Sequence, residues 1–294
     1  MTNDKGEHAL HEAERLWLAG ETARAREAYR RARMFYHEDQ DAVGQADALT
    51  ALGDLEMQAG HHDSAREAFA EARVLLAPGG DQREQAAILT RLGALAHREG
   101  KLSEAQSCYS SAREMFHAAD DPSGEAHVLK RLGHIERDAG RQDVALDYYQ
   151  RALALYRHAG DGLGEANALR SRAQLQDSLG HPDRARQDFD DAVKCYRQVG
   201  DALGEAGALA GLAHQLVRIG RPGEAVSHFE MAAKLYGDAG SLRGEADVFL
   251  ELARHEKAQG QRERAQRHLH RAADLYERIG AREELDKALK EEGF

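Results

Sequence analysis

Glycine recurs every 40 residues along this chain, at Gly20, Gly60, Gly100, Gly140, Gly180, Gly220 and Gly260. Two alanine columns keep the same beat. One runs from Ala25 to Ala265, five residues after each glycine, and the other from Ala32 to Ala272, seven residues further on. A fixed period of this length marks a solenoid, in which a small unit that cannot bury its own apolar face stacks on copies of itself. The pattern never breaks, so it predicts a single repeat domain over 1–294. Its repeats fall near 1–40, 41–80, 81–120, 121–160, 161–200, 201–240 and 241–280. Such stacks present extended concave surfaces, which commonly bind other molecules.

One repeat, residues 41–80, shows how the unit is built. Ala46, Leu49, Leu52 and Leu55 form one face of a first helix. Gly60 ends it, because glycine accepts the left-handed conformation that closes a helix. Asp63 is placed as the N-cap of a second helix, whose apolar stripe is Ala65, Phe69, Ala72 and Leu76. Gly79 and Gly80 turn the chain into the next unit, where other repeats read Gly160-Asp161 and Gly200-Asp201. Each repeat is therefore a helical hairpin, with helices expected near 123–138 and 143–158 in the fourth and at multiples of 40 elsewhere. The column of Ala65 and Ala145 marks the crossing of the two helices, where a larger side chain would force the backbones apart. The aromatic columns Tyr29, Phe69, Tyr109, Tyr149, Phe189, Phe229 and Tyr36, Phe116, Tyr156, Tyr196, Tyr236, Tyr276 read as packing.

The spacing Leu49, Leu52-Gly53, Gly60, Ala65, Phe69, Ala72 resembles the tetratricopeptide repeat, and two further runs match it. These are Leu89, Leu92-Gly93, Ala105, Tyr109, Ala112 and Leu129, Leu132-Gly133, Ala145, Tyr149, Ala152. The period is 40 rather than 34, which implies longer helices. The recurring segment from Gly160 to Leu169 and from Gly200 to Leu209 is similar to the long-repeat subclass, which includes the Pins and LGN scaffolds and many bacterial signalling regulators. The resemblance implies an all-α fold, a right-handed α-solenoid of about seven two-helix repeats plus a C-terminal capping helix within 281–294, from about Arg282 to Glu292.

Several function classes are disfavoured. A formal net charge of −11 argues against general nucleic-acid binding, which needs a basic footprint. The first residues are charged and form no secretory signal, and no apolar run approaches the roughly 20 residues that span a bilayer. A cytoplasmic location is expected, with no membrane partner. His8 and His11 stand three apart with no further ligand in sight, Gly100-Lys101 is followed by Leu102 rather than Ser or Thr, and the glycines at 160, 162 and 164 have counterparts in other repeats. Cys108 and Cys195 are too few for a disulfide framework or a zinc site. No catalytic residue, metal or cofactor is expected, and the protein is not expected to be an enzyme. No added nucleotide-binding or DNA-binding domain is expected either.

The resemblance also implies that the first helices line the concave groove. Its pattern places groove-facing side chains two before, and one, two, five, eight and nine after, the leading large residue of each first helix. In the second repeat these are Asp47, Thr50, Ala51, Asp54, Met57 and Gln58. In repeats three to five the same positions hold Arg91, His97, Arg98, His127, Lys130, Arg131, His134, Arg137 and Arg170, with Asp138 and Asp177 the acids among them. The first two repeats carry Glu7, Glu14, Asp47 and Asp54 there, and the seventh is mixed, with Asp247, Glu251, Arg254 and Lys257. Guanidinium forks suit carboxylates. The peptide-binding candidates are therefore Arg91, His97, Arg98, Lys130, Arg131, His134, Arg137 and Arg170, for an extended acidic segment of a partner protein. The competing reading is a solvated face whose charges pair with neighbouring acids.

Three functions fit these features. The first is a protein–protein interaction scaffold or adaptor that binds an acidic peptide in its groove. The second is the regulatory sensor arm of a bacterial signalling system, responding to a peptide or small signal. The third is a self-associating structural protein, and both a monomer and a dimer remain open.

Overall fold

A computed structural model describes residues 3–77, 81–281, 283, 285, 286 and 289. Among these residues the regular elements are all α-helices. In the first half they are α1 (Asn3–Leu18), α2 (Thr22–Glu38), α3 (Ala42–Gln58), α4 (His62–Leu76), α5 (Gln82–Arg98), α6 (Leu102–Ala118), α7 (Pro122–Asp138) and α8 (Gln142–Ala159). There follow α9 (Gly162–Ser178), α10 (Pro182–Val199), α11 (Ala202–Arg218), α12 (Pro222–Asp238), α13 (Leu242–Ala258) and α14 (Arg262–Arg278). The ends of α7 and α8 fall within one residue of their expected positions.

The chain divides into two compact units, residues 1–155 and 156–294. In the first, α1 packs on α2, α3 on α4 and α5 on α6, and each second helix packs on the next first helix, α2 on α3, α4 on α5 and α6 on α7. Successive first helices also touch, α1 with α3, α3 with α5 and α5 with α7. The second unit repeats the scheme: α9 with α10, α11 with α12 and α13 with α14, joined by α10 on α11 and α12 on α13.

The alanine columns are the crossing points. Ala65, Ala105, Ala145, Ala185 and Ala225 are wholly buried, as are Phe69, Tyr109 and Tyr149 beside them. Where the rings press hardest, the facing residue on the first helix has no side chain. A methyl built on Gly133 would stand 2.6 Å from a ring carbon of Tyr149, and one on Gly164 would stand 2.2 Å from Tyr156. The second glycine of the Gly-Asp-x-x-Gly segment thus makes room for the second aromatic column.

Turns follow one geometry. Gly140 takes φ +76, so that its own amide bonds the carbonyl of Arg137 at 2.9 Å and the next amide, of Arg141, bonds that of Glu136 at 2.8 Å. These bonds satisfy carbonyls that a helix end leaves open. At the entries to first helices, Asp41, Asp121, Asp161 and Asp201 accept from the amides of Gly44, Gly124, Gly164 and Gly204 at 2.7–2.9 Å. Asp63 is different from its sequence reading. His61 is the N-cap of α4 without a side-chain bond, and Asp63 lies inside the first turn. The turn after Gly60 is too short to place a capping residue at 63, because the amide of His61 is already tied to the carbonyl of Glu56. Gly79, Gly80 and most of the expected capping helix over 282–292 lie outside the described residues. Ala281 and Leu285 are described, and both are buried in a cluster with Leu250, Leu275 and Tyr276.

Candidate functional site

In the first unit, helices α3, α5 and α7 present side chains at the anticipated intervals and enclose a cavity of about 500 Å³. Asp54 and Met57 come from α3, Ala87, Thr90, Arg91 and Ala94 from α5, and His127 and Arg131 from α7. Phe116, at the end of α6, and the Asp121–Gly124 entry to α7 complete the wall. Polar groups meet an apolar surface here, as in small-ligand and side-chain pockets.

The charges divide into committed and uncommitted groups. Arg91 donates through Nε to both carboxylate oxygens of Asp54, at 3.0 and 2.9 Å, and weakly through Nη1 to the carbonyl of Ala87. His97 Nε2 lies 2.9 Å from a carboxylate oxygen of Asp138, and Arg137 holds the other oxygen of that carboxylate at 2.8 Å. Arg98 is exposed and bonds the carbonyl of Met57 at 3.3 Å. Lys130 is half-buried on α7. Arg131 donates through Nε to His127 Nε2 at 3.3 Å and has no carboxylate partner among the described residues. Pairing with neighbouring acids therefore accounts for Arg91, His97 and Arg137, and not for Arg131.

Two imidazoles in this face are kept neutral. Burial, then the cations Lys130, Arg131 and Arg91, push His127 down to about 3. Burial, then Arg137, Lys130 and Arg131, do the same to His134, against the pull of Asp138. His134 Nδ1 is hydrogen-bonded to the hydroxyl of Tyr149 at 2.9 Å, with the two rings edge to face. Burial raises Asp54 despite its pairing with Arg91. Asp138 is lowered, because Arg137 and His97 outweigh the effect of its burial.

Arg170 belongs to the second unit, on α9. Its guanidinium lies over the ring of Tyr196, 5.6 Å from the centroid, and fills the space that Gly207 leaves, since a methyl there would meet Nη1 at 2.8 Å. This unit has its own cavity of about 360 Å³, lined by His214, Tyr236, Asp247, Glu251, Arg254 and Tyr276 among others. Tyr276 donates to Asp247 at 2.5 Å, and Arg254 pairs with Glu251 at 2.5 Å.

Sequence reasoning did not foresee the contributions of Ala94 and Phe116. One signal was present: the groove column Asp54, Ala94, His134, His214, Arg254 has a single small residue where the others are polar. Cys108 and Cys195 are half-buried thiols that burial pushes up, and His8 and His11 are exposed. Among the described residues, no group of three or more His, Cys, Asp or Glu could hold a metal. No described helix is long and apolar enough to cross a membrane.

Comparison with known proteins agrees with this architecture. The tetratricopeptide repeat model matches residues 84–158 and 124–198, and the model of the soluble NSF attachment protein, SNAP, matches residues 182–291. No curated protein matches the chain by sequence. Among solved structures it is similar to aspartyl phosphate phosphatase F from Bacillus subtilis. That match has a TM-score of 0.72 at 12% identity and covers 92% of this chain and 70% of that one. It is also similar to a signal-transduction ATPase with a tetratricopeptide repeat sensor from Pyrococcus horikoshii, with a TM-score of 0.70 at 16% identity, covering 98% and 47%. A third is a Rap protein complexed with competence and sporulation factor, with a TM-score of 0.61 at 15% identity, covering 99% of both chains. Residues 84–198 thus match the tetratricopeptide repeat, and the paired helices with their Leu-Gly, alanine and aromatic columns carry the same pattern through the other repeats.

Proposed function

We propose that the protein is an interaction scaffold that binds an extended, acidic peptide segment of a partner along its first helices. The observation that carries this reading is the cavity between α3, α5 and α7, with Arg131 at its wall and no carboxylate partner for it among the described residues. Arg98 and Lys130 extend the basic character along the same unit, beside Arg91, His97 and Arg137, which pair with Asp54 and Asp138, and the neutral His134; Arg170 adds a guanidinium stacked over Tyr196 in the other. One similar fold is named as a complex with a peptide, a Rap conjugation regulator with the Phr* peptide, and another as a Rap protein complexed with competence and sporulation factor.

The test is selection from a displayed random peptide library, followed by affinity measurement on synthetic copies of the enriched peptides. Acidic sequences should be enriched, and binding should weaken with salt. Arg131→Glu with Arg137→Glu should lower affinity at least tenfold, since one charge-assisted bond contributes about 1.5–3 kcal/mol and reversal adds repulsion. Enrichment of sequences without acids, or binding indifferent to both the reversal and the salt, would overturn the proposal.

A further inference from the structure

We infer that the cavity over Ala94 is an anchor pocket that takes one glutamate side chain of the bound peptide, an inference that rests on the groove reading above. The argument begins with two tyrosines in the same repeat position. Tyr149 lies against Gly133, and Tyr109 lies against Gly93 in a matching pose: the nearest atoms to a methyl built on either glycine would be Cε1, Cδ1 and Cζ of the ring. The hydroxyl of Tyr149 reaches His134, one residue beyond its glycine. The residue one beyond Gly93 is Ala94, which offers no hydrogen-bonding side chain. The Tyr109 hydroxyl is buried without a partner among the described residues, in a residue that is 0% exposed. An unpaired hydroxyl in such a place is costly unless something supplies its bond.

The same alanine opens the cavity, because Ala94 lines it where His134 stands in the next repeat. The pocket therefore combines the missing side chain at position 94 with the guanidinium of Arg131, which has no carboxylate partner among the described residues. The remaining charges decide the ligand class. Asp54 is held by Arg91 and Asp121 caps the amide of Gly124, so Arg131 is the one arginine of the wall left for a ligand carboxylate. A dianionic group would face Asp54 and Asp121 as well, which favours a single negative charge. Met57, Ala87 and Phe116 give the walls an apolar stretch that suits the methylenes of glutamate better than the shorter stem of aspartate.

The experiment uses fluorescein-labelled dodecapeptides of alternating Leu-Glu, Leu-Asp and Leu-Gln, measured by anisotropy on the full chain. The glutamate peptide should bind about tenfold more tightly than the aspartate peptide, although the two carry the same charge. Ala94→His restores the side chain of the next repeat. It should give Tyr109 a partner, keep or raise the melting temperature and reduce the glutamate peptide to the level of the aspartate peptide. Arg131→Gln, at a partly exposed position, should do the same and serves as the second variant if Ala94→His is unstable. Equal binding of the two acidic peptides, unchanged by Ala94→His and Arg131→Gln, would overturn the anchor pocket while leaving the groove reading intact. Failure of both acidic peptides to bind better than the Leu-Gln peptide would overturn the groove reading itself.

Discussion

Gly133→Ala should destabilise the protein, although glycine to alanine inside a helix normally gains about 1 kcal/mol from propensity. The opposing terms come from the contact with Tyr149. A methyl at 133 would stand 2.6 Å from Cε1 and 2.9 Å from Cδ1, distances at which something must move. The ring is fully buried and tied to His134 through its hydroxyl, so it has little freedom to withdraw. Overpacking of this kind costs about 1–3 kcal/mol, and a ring pushed off its partner loses about 1 kcal/mol of hydrogen bonding. The net expectation is a loss of about 1–3 kcal/mol after the propensity gain is subtracted. Four other repeats carry alanine at this position, Ala13, Ala173, Ala213 and Ala253, opposite Tyr29, Phe189, Phe229 and Leu269; of these only Tyr29 has a hydroxyl, and it has no hydrogen-bond partner among the described residues to hold it in place. Gly223→Ala is the matched control, because nothing lies within 4 Å of a methyl built there, and it should be neutral or stabilising. Urea unfolding followed by circular dichroism, with m-values compared so that staged unfolding of the stack is not mistaken for lost stability, gives the answer. A Gly133→Ala midpoint at or above that of the wild type would refute the reasoning.

Two further outcomes are expected. Ala145→Leu should lower the unfolding midpoint by overpacking the crossing of α7 and α8, at a cost of about 1–3 kcal/mol; an unchanged midpoint would mean that the alanine column does not mark helix crossings. The neutral imidazoles predict an acid sensitivity. His127 and His134 are held near 3 in the folded protein but titrate near 6.5 when unfolded, so below pH 6.5 the unfolded chain binds more protons. Their contribution is intact above pH 6.5 and is lost at about 1.4 kcal/mol per pH unit for each histidine as the pH falls toward 3. A His127→Gln, His134→Gln double variant should show a shallower fall in stability between pH 6.5 and 4.5 than the wild type. Parallel slopes would show that these rings are not held neutral by burial and their cationic neighbours.

Much of this architecture was written in the residue pattern. The 40-residue beat of glycine and alanine reports local needs: a left-handed residue such as Gly140 where a helix stops, and a small one such as Ala145 where two helices cross. Those needs recur in each repeat, so counting along the chain locates the helices to within two residues. Intervals of the same kind also indicated which first-helix side chains share a face, and the cavity between α3, α5 and α7 is lined by residues from those intervals. What only the packed structure decided depends on neighbours that are distant in sequence. Arg91 and Asp54 are 37 residues apart and neutralise each other, while Arg131, of the same residue type and one repeat later, finds no acid among the described residues. Asp63 read as a cap because of its residue type, and the shortness of the turn denied it that role. The period shows Ala94 where the next repeat has His134, but that the Tyr109 hydroxyl is left without a partner is visible only in the packed structure. Charge pairing and cavity formation arise from side chains meeting across repeats, and a one-dimensional pattern records the positions of those side chains but not the pairs they form.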